Sequence, residues 1–408
     1  MNKPSLVVIS SLFPSSRQPG VGLFIRERMF RVSKQLPITV VSPQAWFPGQ
    51  FVLSKVFPLY RVLRDTFEIQ SGIEVYRPRA LSCPGIGRRF DGFAMAVAAL
   101  PIVRRLKQSG RCDIIDAHFA YPDGYAASLL GKWLKLPVCI TLRGTELRHL
   151  AQPALRSRLL QGLHSATRIF SVSESLRQLV IQAGVPADKI EVVGNGVDTE
   201  LFSPIDRKSA RAQLKIPQDA KVLITVGALV ERKGFHRVIE QLPRLLPTYP
   251  NLIYLVVGGP SPEGDRSKEL RRQVEVAGLS ANVQFLGPLK PYELPIPLSA
   301  ADVAVLASSN EGWANVILEA MACGCPVIAS SVGGNAEVVC NRTLGAIYEF
   351  GNDEALYEKL ASALAKEWDA RALIDYAARN SWGGRVEHLV SAFRSLGGHV
   401  VTRTIRHA

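Results

Sequence analysis

The 408-residue chain reads as an α/β protein made of two doubly wound, parallel-sheet domains of the Rossmann-like kind. Three observations predict this. The length exceeds what one ordinary core accommodates and suggests two domains of about 200 residues each. Short, almost wholly apolar runs, as expected of strands buried on both faces, alternate with helical segments in both halves. Glycine-bearing or charged turns follow those runs, at the strand edge where open α/β sheets hold ligands. A hydrophobic share of 47% and a charged share of 21% suit a globular enzyme. No apolar run reaches 18 residues, so no membrane-spanning helix is expected. The N-terminus enters a strand without a basic and then long apolar region, so no secretory signal is expected either.

In the first half, Leu6–Ser10 reads as a buried strand, followed by a loop carrying Gly20 and Gly22 and a helix from Leu23 to about Gln35. Ile38–Ser42 is the second strand. Between Trp46 and Tyr60, aromatic residues (Trp46, Phe47, Phe51, Phe57, Tyr60) alternate with prolines and cations, which suits a bilayer interface, an acyl-chain groove, or packing on the domain's own core. Ile73–Arg79 reads as a strand. Phe93–Leu106 reads as an apolar helix with Arg104, Arg105 and Lys107 at its favourable C-terminal end. Asp113 opens a strand that ends at His118, before a Pro-Asp-Gly turn and a helix from about Tyr125. Val138–Leu142 is a strand running into Arg143-Gly144-Thr145-Glu146. The strand from Arg168 enters a helix capped by Ser173 or Ser175. Asn195-Gly196-Val197-Asp198 is a tight turn.

Leu201 to about Pro217, with mixed charge and two prolines, reads as an interdomain connection. The strand from Lys221 ends in Val230-Glu231-Arg232-Lys233-Gly234, before a helix from Phe235 to about Leu246. Two cations thus stand at a strand's carboxyl edge and a helix entrance, where free N–H groups attract anions. A planar fork and a point charge together suit a diphosphate. Further strands are Leu252–Gly258, the run from Val283 and Val303–Ala307. The tail from Asp353 is helical. Residues 1–198 hold 26 Lys and Arg against 13 Asp and Glu, and residues 199–408 hold 23 against 22, so nearly all of the net +14 lies in the first half. That asymmetry suggests an anionic partner for the first half: a membrane surface, a lipid-linked phosphate or nucleic acid. The six cysteines, at 83, 112, 139, 323, 325 and 340, lack the spacing of a zinc site and read as reduced and buried.

The most informative stretch is EGWANVILEAMACGCPVIASSVGGNAEVV, from Glu311 to Val339: a polar turn, a short helix, a buried strand and a glycine turn. On a continuous helix, the eight residues from Glu311 to Glu319 rise about 12 Å and leave the carboxylates roughly 80° apart. At that separation they would grip two ends of a hydroxyl-rich ligand rather than share a metal or proton. Cys325-Pro326 stops the helix, and bare N–H groups at Gly333 and Gly334 suit close approach of a phosphate.

This motif resembles that of the retaining glycosyltransferases of family 4, of the bacterial polysaccharide and glycolipid type, which have the GT-B fold: two Rossmann-like domains facing across a cleft. The likeness is strong over Lys221–Val339 and weaker before Asn195. It implies an acceptor-binding domain over residues 1–198, with a last helix at about 382–396 packing back on it, and a nucleotide-sugar-binding domain over 199–381. It also implies roles. Arg232 and Lys233 would neutralise the leaving diphosphate, and Glu319 would hold the ribose hydroxyls. Glu311 would hold sugar hydroxyls, beside the backbone of Gly312, Trp313, Ala314, Asn315 and Val316. The nucleobase would pack near Leu286, and Gly20 and Gly22 would lie by the donor's reactive sugar and the acceptor. His118 would contact the transferred sugar, with Arg143 and Glu146 toward the acceptor. Two positions depart from the family pattern. Arg143 stands where His is common, and Ala228 stands where an Arg usually follows the strand's glycine.

The implied activity is a hexosyltransferase of class 2.4: transfer of a sugar from a nucleotide-sugar to a lipid-linked or glycan acceptor, with retention and by a front-face mechanism. No cofactor and no metal are expected, since no Asp-x-Asp pair stands at a strand edge. The expected partners are the nucleotide-sugar, the acceptor and an anionic membrane, with no nucleic acid. The expected place is the cytoplasm, peripheral on the inner face of the cell membrane. The alternatives are a nucleotide-sugar epimerase of the same fold, or a degenerate, non-catalytic sugar-nucleotide- or membrane-binding protein.

Overall fold

A computed structural model describes residues 3–16, 18, 20–50, 65–82, 87–261 and 263–405, with side chains to 397. The aromatic stretch expected between Trp46 and Tyr60 lies, from residue 51 onward, outside the described residues, as does Cys83. The chain divides into two compact units, one of Met1–Asn195 with Gly383–Ala408 and the other of Gly196–Trp382.

The first unit is organised on an eight-stranded sheet. Its strands are β1 (Leu6–Ile9), β2 (Ile38–Val41), β4 (Phe67–Gln70), β5 (Ile73–Tyr76), β7 (Ile114–His118), β8 (Val138–Leu142), β9 (Arg168–Ser171) and β10 (Ile190–Val192). Their order is β10-β9-β8-β7-β1-β2-β5-β4, parallel except for the β4–β5 hairpin. β3 (Gln44–Trp46) and β6 (Arg79–Leu81) form a separate parallel pair. The expected strand Ile73–Arg79 is thus two short strands in two sheets, divided at Arg77-Pro78, where proline interrupts the ladder. β1 and β7 are buried along their whole length, because helices cover both faces of a parallel sheet. The helices that matter below are α1 (Leu23–Val32), α2 (Asp91–Gln108) and α3 (Tyr125–Leu134). From Gly383 onward the long terminal helix Trp382–Ile405 packs on this sheet, with the Phe393 ring 5.7 Å from that of Phe170 on β9.

The second unit has a six-stranded, all-parallel sheet. It comprises β11 (Val222–Val226), β12 (Ile253–Val257), β13 (Val283–Gly287), β14 (Val303–Leu306), β15 (Val327–Ser330) and β16 (Gly345–Tyr348), in the order β13-β12-β11-β14-β15-β16. Its key helices are α4 (Phe235–Leu245) and α5 (Asn315–Ala322). Leu201–Pro217 is not a free connection. It contains the helix Arg207–Gln213, and Phe202, Ala210 and Ile216 enter this unit's core. Arg211 is buried and fixed by the Ala300 carbonyl at 3.1 Å and by Asp302 at 2.9 Å, a long-range partnership that local composition does not announce. In each sheet the strand order reverses beside the first strand, between β1 and β7 and between β11 and β14, and such switch points open crevices at the carboxyl edge.

Candidate active site

In the second unit the switch point is built by a close approach of two loops. Gly234, at φ 71°, lets the turn after β11 press on β14, since a Cβ there would stand 2.0 Å from the Ala307 carbonyl oxygen. This turn aims Lys233 along Gly227, and Lys233 Nζ reaches Glu311 Oε1 at 2.6 Å. Ser308 Oγ donates to the same oxygen at 2.8 Å, and Arg232 Nη1 stands 3.7 Å from it. The Glu311 loop is seated from below by Gly333, at φ 54°, where a Cβ would lie 1.7 Å from the Glu311 carbonyl oxygen.

The helix expected to run from Glu311 begins only at Asn315, so the helical spacing of the two glutamates does not apply. Glu311 belongs to the loop, and Glu319 is one turn into α5. Both glutamates still act on one cation. Loss of surrounding water pushes the Glu319 carboxyl up to about 7, and the nearby Lys233 charge opposes that rise. Arg232, expected to offer its fork to a diphosphate, spends it here on Glu263, at 2.6 and 3.0 Å, and a further N–H on the Asn310 carbonyl at 3.3 Å. Gly312 and Ala314 are buried, while Trp313, Asn315 and Val316 are half-buried around the start of α5. Ala314, the residue before the helix, offers no side-chain cap to the first turn. Leu286 sits on β13 beside Gly287, half-buried against this unit's core.

In the first unit β1 ends in the loop that leads to α1. Gly22, at φ 70°, lies on the Leu12 carbonyl oxygen, and Gly20 faces open space. Asp123, in the turn after β7, takes hydrogen bonds from the Ser11 backbone N–H and, at 3.0 Å, from Ser11 Oγ. Burial pushes its carboxyl up to about 7.

His118, at the carboxyl end of β7, is fully buried. Arg143 Nη2 meets Nδ1 at 2.8 Å, while Nε2 lies 3.3 Å from Asp116 Oδ2. A guanidinium only donates, so Nδ1 is the bare nitrogen and Nε2 carries the proton toward Asp116. Desolvation lowers the His118 pKa to about 4, and the Asp116 carboxylate opposes this. Arg143 also donates to Asn195 Oδ1 at 2.8 Å, and Glu146 accepts from the Arg143 and Gly144 backbone N–H groups at 3.2 and 2.6 Å. Arg28 of α1, fully buried, donates to the Val193 carbonyl at 2.7 Å.

His118, Arg143 and Glu146 therefore converge in the first unit, and Lys233, Arg232, Glu311 and Glu319 in the second. Sequence reading missed Asp116, Asn195, Ser308 and Glu263 as their partners, and Asp123 as the partner of Ser11. Asp116 carried a readable signal, since a period of two places it on the face of β7 that bears His118. Among the described residues no three His, Cys, Asp or Glu side chains gather as metal ligands.

Comparison with known proteins matches these two halves separately. Residues 206–381 match the family described as glycosyl transferases group 1, and residues 59–201 match glycosyltransferase family 4. The D-inositol 3-phosphate glycosyltransferase of Corynebacterium urealyticum is 30% identical over 355 residues, covering 81% of this chain and 83% of that protein. A putative teichuronic acid biosynthesis glycosyltransferase, TuaC, of Bacillus subtilis is 27% identical over 379 residues, covering 92% and 89%. Among solved structures, Anabaena HepE in complex with UDP superposes with a TM-score of 0.74 at 20% identity, covering 96% of this chain and all of that one. Sucrose-phosphate synthase from Thermosynechococcus elongatus gives 0.69 at 20% identity, covering both chains fully. These likenesses show the GT-B fold.

Proposed function

This chain is a glycosyltransferase of family 4, and from that premise we propose that it moves a sugar from a uridine-diphosphate donor to a lipid-linked or polysaccharide acceptor, with retention and without a metal. The observation that carries the reading is the Lys233–Glu311 pair at the switch point of the second unit, with Arg232 beside it. A diphosphate leaving group gathers negative charge as the glycosidic bond breaks, and prepositioned cations stabilise that charge most where water is scarce. Lys233 supplies a point charge. Arg232 supplies a fork once it exchanges Glu263 for phosphate oxygens, which holds the same number of charge-assisted bonds.

Glu311 serves two purposes in this scheme. It holds Lys233 in place before the donor arrives and then offers its second oxygen to sugar hydroxyls. Glu319 accepts from ribose hydroxyls as a carboxylate. On the acceptor side the buried His118–Arg143–Asn195 chain fixes the carboxyl edge of β7 and β8. Glu311 is paired with Lys233, and its Oε1 is spent on Lys233 and Ser308. A front-face path, in which the leaving phosphate takes the acceptor's proton, accords with that arrangement.

The uridine assignment follows the Anabaena HepE structures, which hold UDP and UDP-glucose. The acceptor class follows the teichuronic acid relative and the basic first half. Thermal shift against UDP-, GDP-, ADP- and dTDP-sugars, with and without EDTA, tests the donor. A shift confined to UDP-sugars, indifferent to EDTA and lost in Glu319→Ala, is the expected outcome. A shift that appears only with divalent cation would overturn the metal-free reading.

A further inference from the structure

The first unit exposes an apolar surface that its fold does not use. Phe90, Phe93 and Val97 are 52%, 51% and 49% exposed, and Trp133 is 40% exposed. Phe93 and Val97 lie one helical turn apart on α2, with Phe90 just before its first turn, so all three share a face. Trp133 of α3 closes the patch, its ring set edge-on to Phe93 with centroids 6.2 Å apart. Four large apolar side chains exposed in one cluster mark an interaction site more often than chance, whereas scattered ones do not.

The rim decides the kind of partner. Residues 87–111 and 125–135 carry eight Lys and Arg and one acid, Asp91. All eight of these cations are exposed. Arg104 falls on the α2 face that bears Phe93 and Val97, Lys132 adjoins Trp133, and the Arg89 guanidinium lies 4.7 Å from the Phe90 ring centre. Asp91 is turned away, bonded to Ser82 Oγ at 2.8 Å. Such a rim would repel a second copy of itself and would attract an anionic surface. Aromatic and aliphatic side chains ringed by cations are what the interface of an anionic bilayer binds, with rings among the headgroups and cations beside lipid phosphates.

Location adds to this. The start of α2 packs on the turn that follows His118, since a Cβ on Gly92 would stand 2.9 Å from the Pro122 carbonyl oxygen, and Tyr121 Oη donates to the Arg88 carbonyl. The patch therefore adjoins the acceptor-side elements of the same unit. We infer that the face formed by Phe90, Phe93, Val97 and Trp133, with its rim of Arg and Lys, is the surface by which this enzyme docks on an anionic lipid bilayer. This rests on the reading of a lipid-linked acceptor and adds where the membrane meets the chain.

The test is flotation of the full chain with phosphatidylcholine vesicles, with and without phosphatidylglycerol, at low and high salt. Two variants are compared: Phe93→Ser with Trp133→Ser, and Arg89→Glu with Arg104→Glu. Both pairs are exposed, and the arginine pair serves alone if the apolar pair melts below the parent. The parent chain should float with the phosphatidylglycerol vesicles only. Either variant should partition roughly tenfold less, and the arginine variant should lose most of its salt dependence. Thermal shift with UDP-sugars should be the same in all three chains. If the parent floats and both variants float equally well, the membrane reading survives and this surface is wrong. A parent that ignores anionic vesicles at low salt overturns both. If the apolar variant changes the oligomeric state but not flotation, the face belongs to a second copy and the inference falls.

Discussion

Lys233 and Glu311, seventy-eight residues apart in the chain, form a half-buried ion pair of 2.6 Å at the point where the strand order of the second unit reverses. The pair spans the loops after β11 and β14, so it ties those two turns together. Breaking such a pair by removing one partner leaves the other charge partly buried and uncompensated, which costs more than the pair itself contributes. Lys233→Ala should therefore lower kcat by about 10²–10³, the range for loss of one prepositioned charge-stabilising group. Lys233→Arg should recover only part, because a fork cannot replace a point charge along Gly227. Initial rates of UDP release with UDP-glucose and added acceptor check this; a variant that keeps kcat and raises only KM would remove Lys233 from the transition state.

Glu319 gives a pH dependence with a defined sign. Its folded pKa is raised from 4.5 to about 7. A raised carboxyl contributes stability that is complete below pH 4.5 and lost as pH rises through about 7. Glu319→Gln should therefore melt at or above the parent temperature at pH 8 and flatten the melting profile above pH 4.5. In the proposed donor site, binding should run the other way, because the ribose hydroxyls would be held by the ionised carboxylate. The UDP-sugar thermal shift of the parent should grow from pH 6 to pH 8, around the pKa of about 7, and that of Glu319→Gln should be small and flat.

His118 runs with the opposite sign. Its folded pKa is lowered from 6.5 to about 4, so the stability tied to its neutral form is present above pH 6.5 and lost as pH falls toward 4. The upper limit of that loss is about 3 kcal/mol. His118→Gln should flatten the melting profile between those pH values. Arg143→Lys should destabilise the chain at pH 7.5 by about 1–3 kcal/mol, since an ammonium cannot reach His118 and Asn195 together and one of them is left buried and unsatisfied. Denaturant unfolding of both variants measures this.

The fold was legible because its signal is local and repeated: runs such as Leu6–Ile9 and Val222–Val226 are too short and too apolar for anything but buried parallel strands. The Glu311–Val339 motif was legible for the same reason, as one contiguous string. What sequence could not supply was partnership across distance. Glu263 holds Arg232 from 31 positions away, Asp302 holds Arg211 from 91, and Asn195 holds Arg143 from 52. Nothing in the local pattern of any of these residues encodes the other. Arg143 shows the consequence. It departs from the family's usual His, and its fork joins His118 to Asn195, 25 and 52 positions away, at 2.8 Å each.

Asp123 and Ser11 offer a test of how the first unit holds its glycine-bearing loop. The Asp123 carboxylate is the partner of both the Ser11 N–H and its hydroxyl, 112 positions away. Asp123→Ala leaves that buried N–H without an acceptor and should cost about 1–3 kcal/mol. Asp123→Asn keeps one amide oxygen for the N–H and should cost less. Because the loop reaches Gly20 and Gly22, Asp123→Ala should also raise the acceptor KM with the donor thermal shift unchanged. An equal loss of donor binding would mean that the unit as a whole has been disrupted.

Gly333 is the most direct probe of the second unit's site. At φ 54° an L side chain is strained, and here a Cβ would overlap the Glu311 carbonyl oxygen at 1.7 Å. Backbone of that kind yields only by moving, so Gly333→Ala must push the Glu311 loop off its seat, together with the Glu311 carboxylate that Lys233 and Ser308 hold. The strain of a non-glycine residue in this region costs about 1–2 kcal/mol, and the clash adds to it. Gly351 makes the control: at φ 88° it carries the same backbone strain, but its Cβ would meet nothing within 4 Å. Both Gly→Ala variants should lower the melting temperature. Only Gly333→Ala should abolish the UDP-sugar thermal shift, and if both variants retain it, Glu311 is not held by this glycine turn in the way the geometry requires.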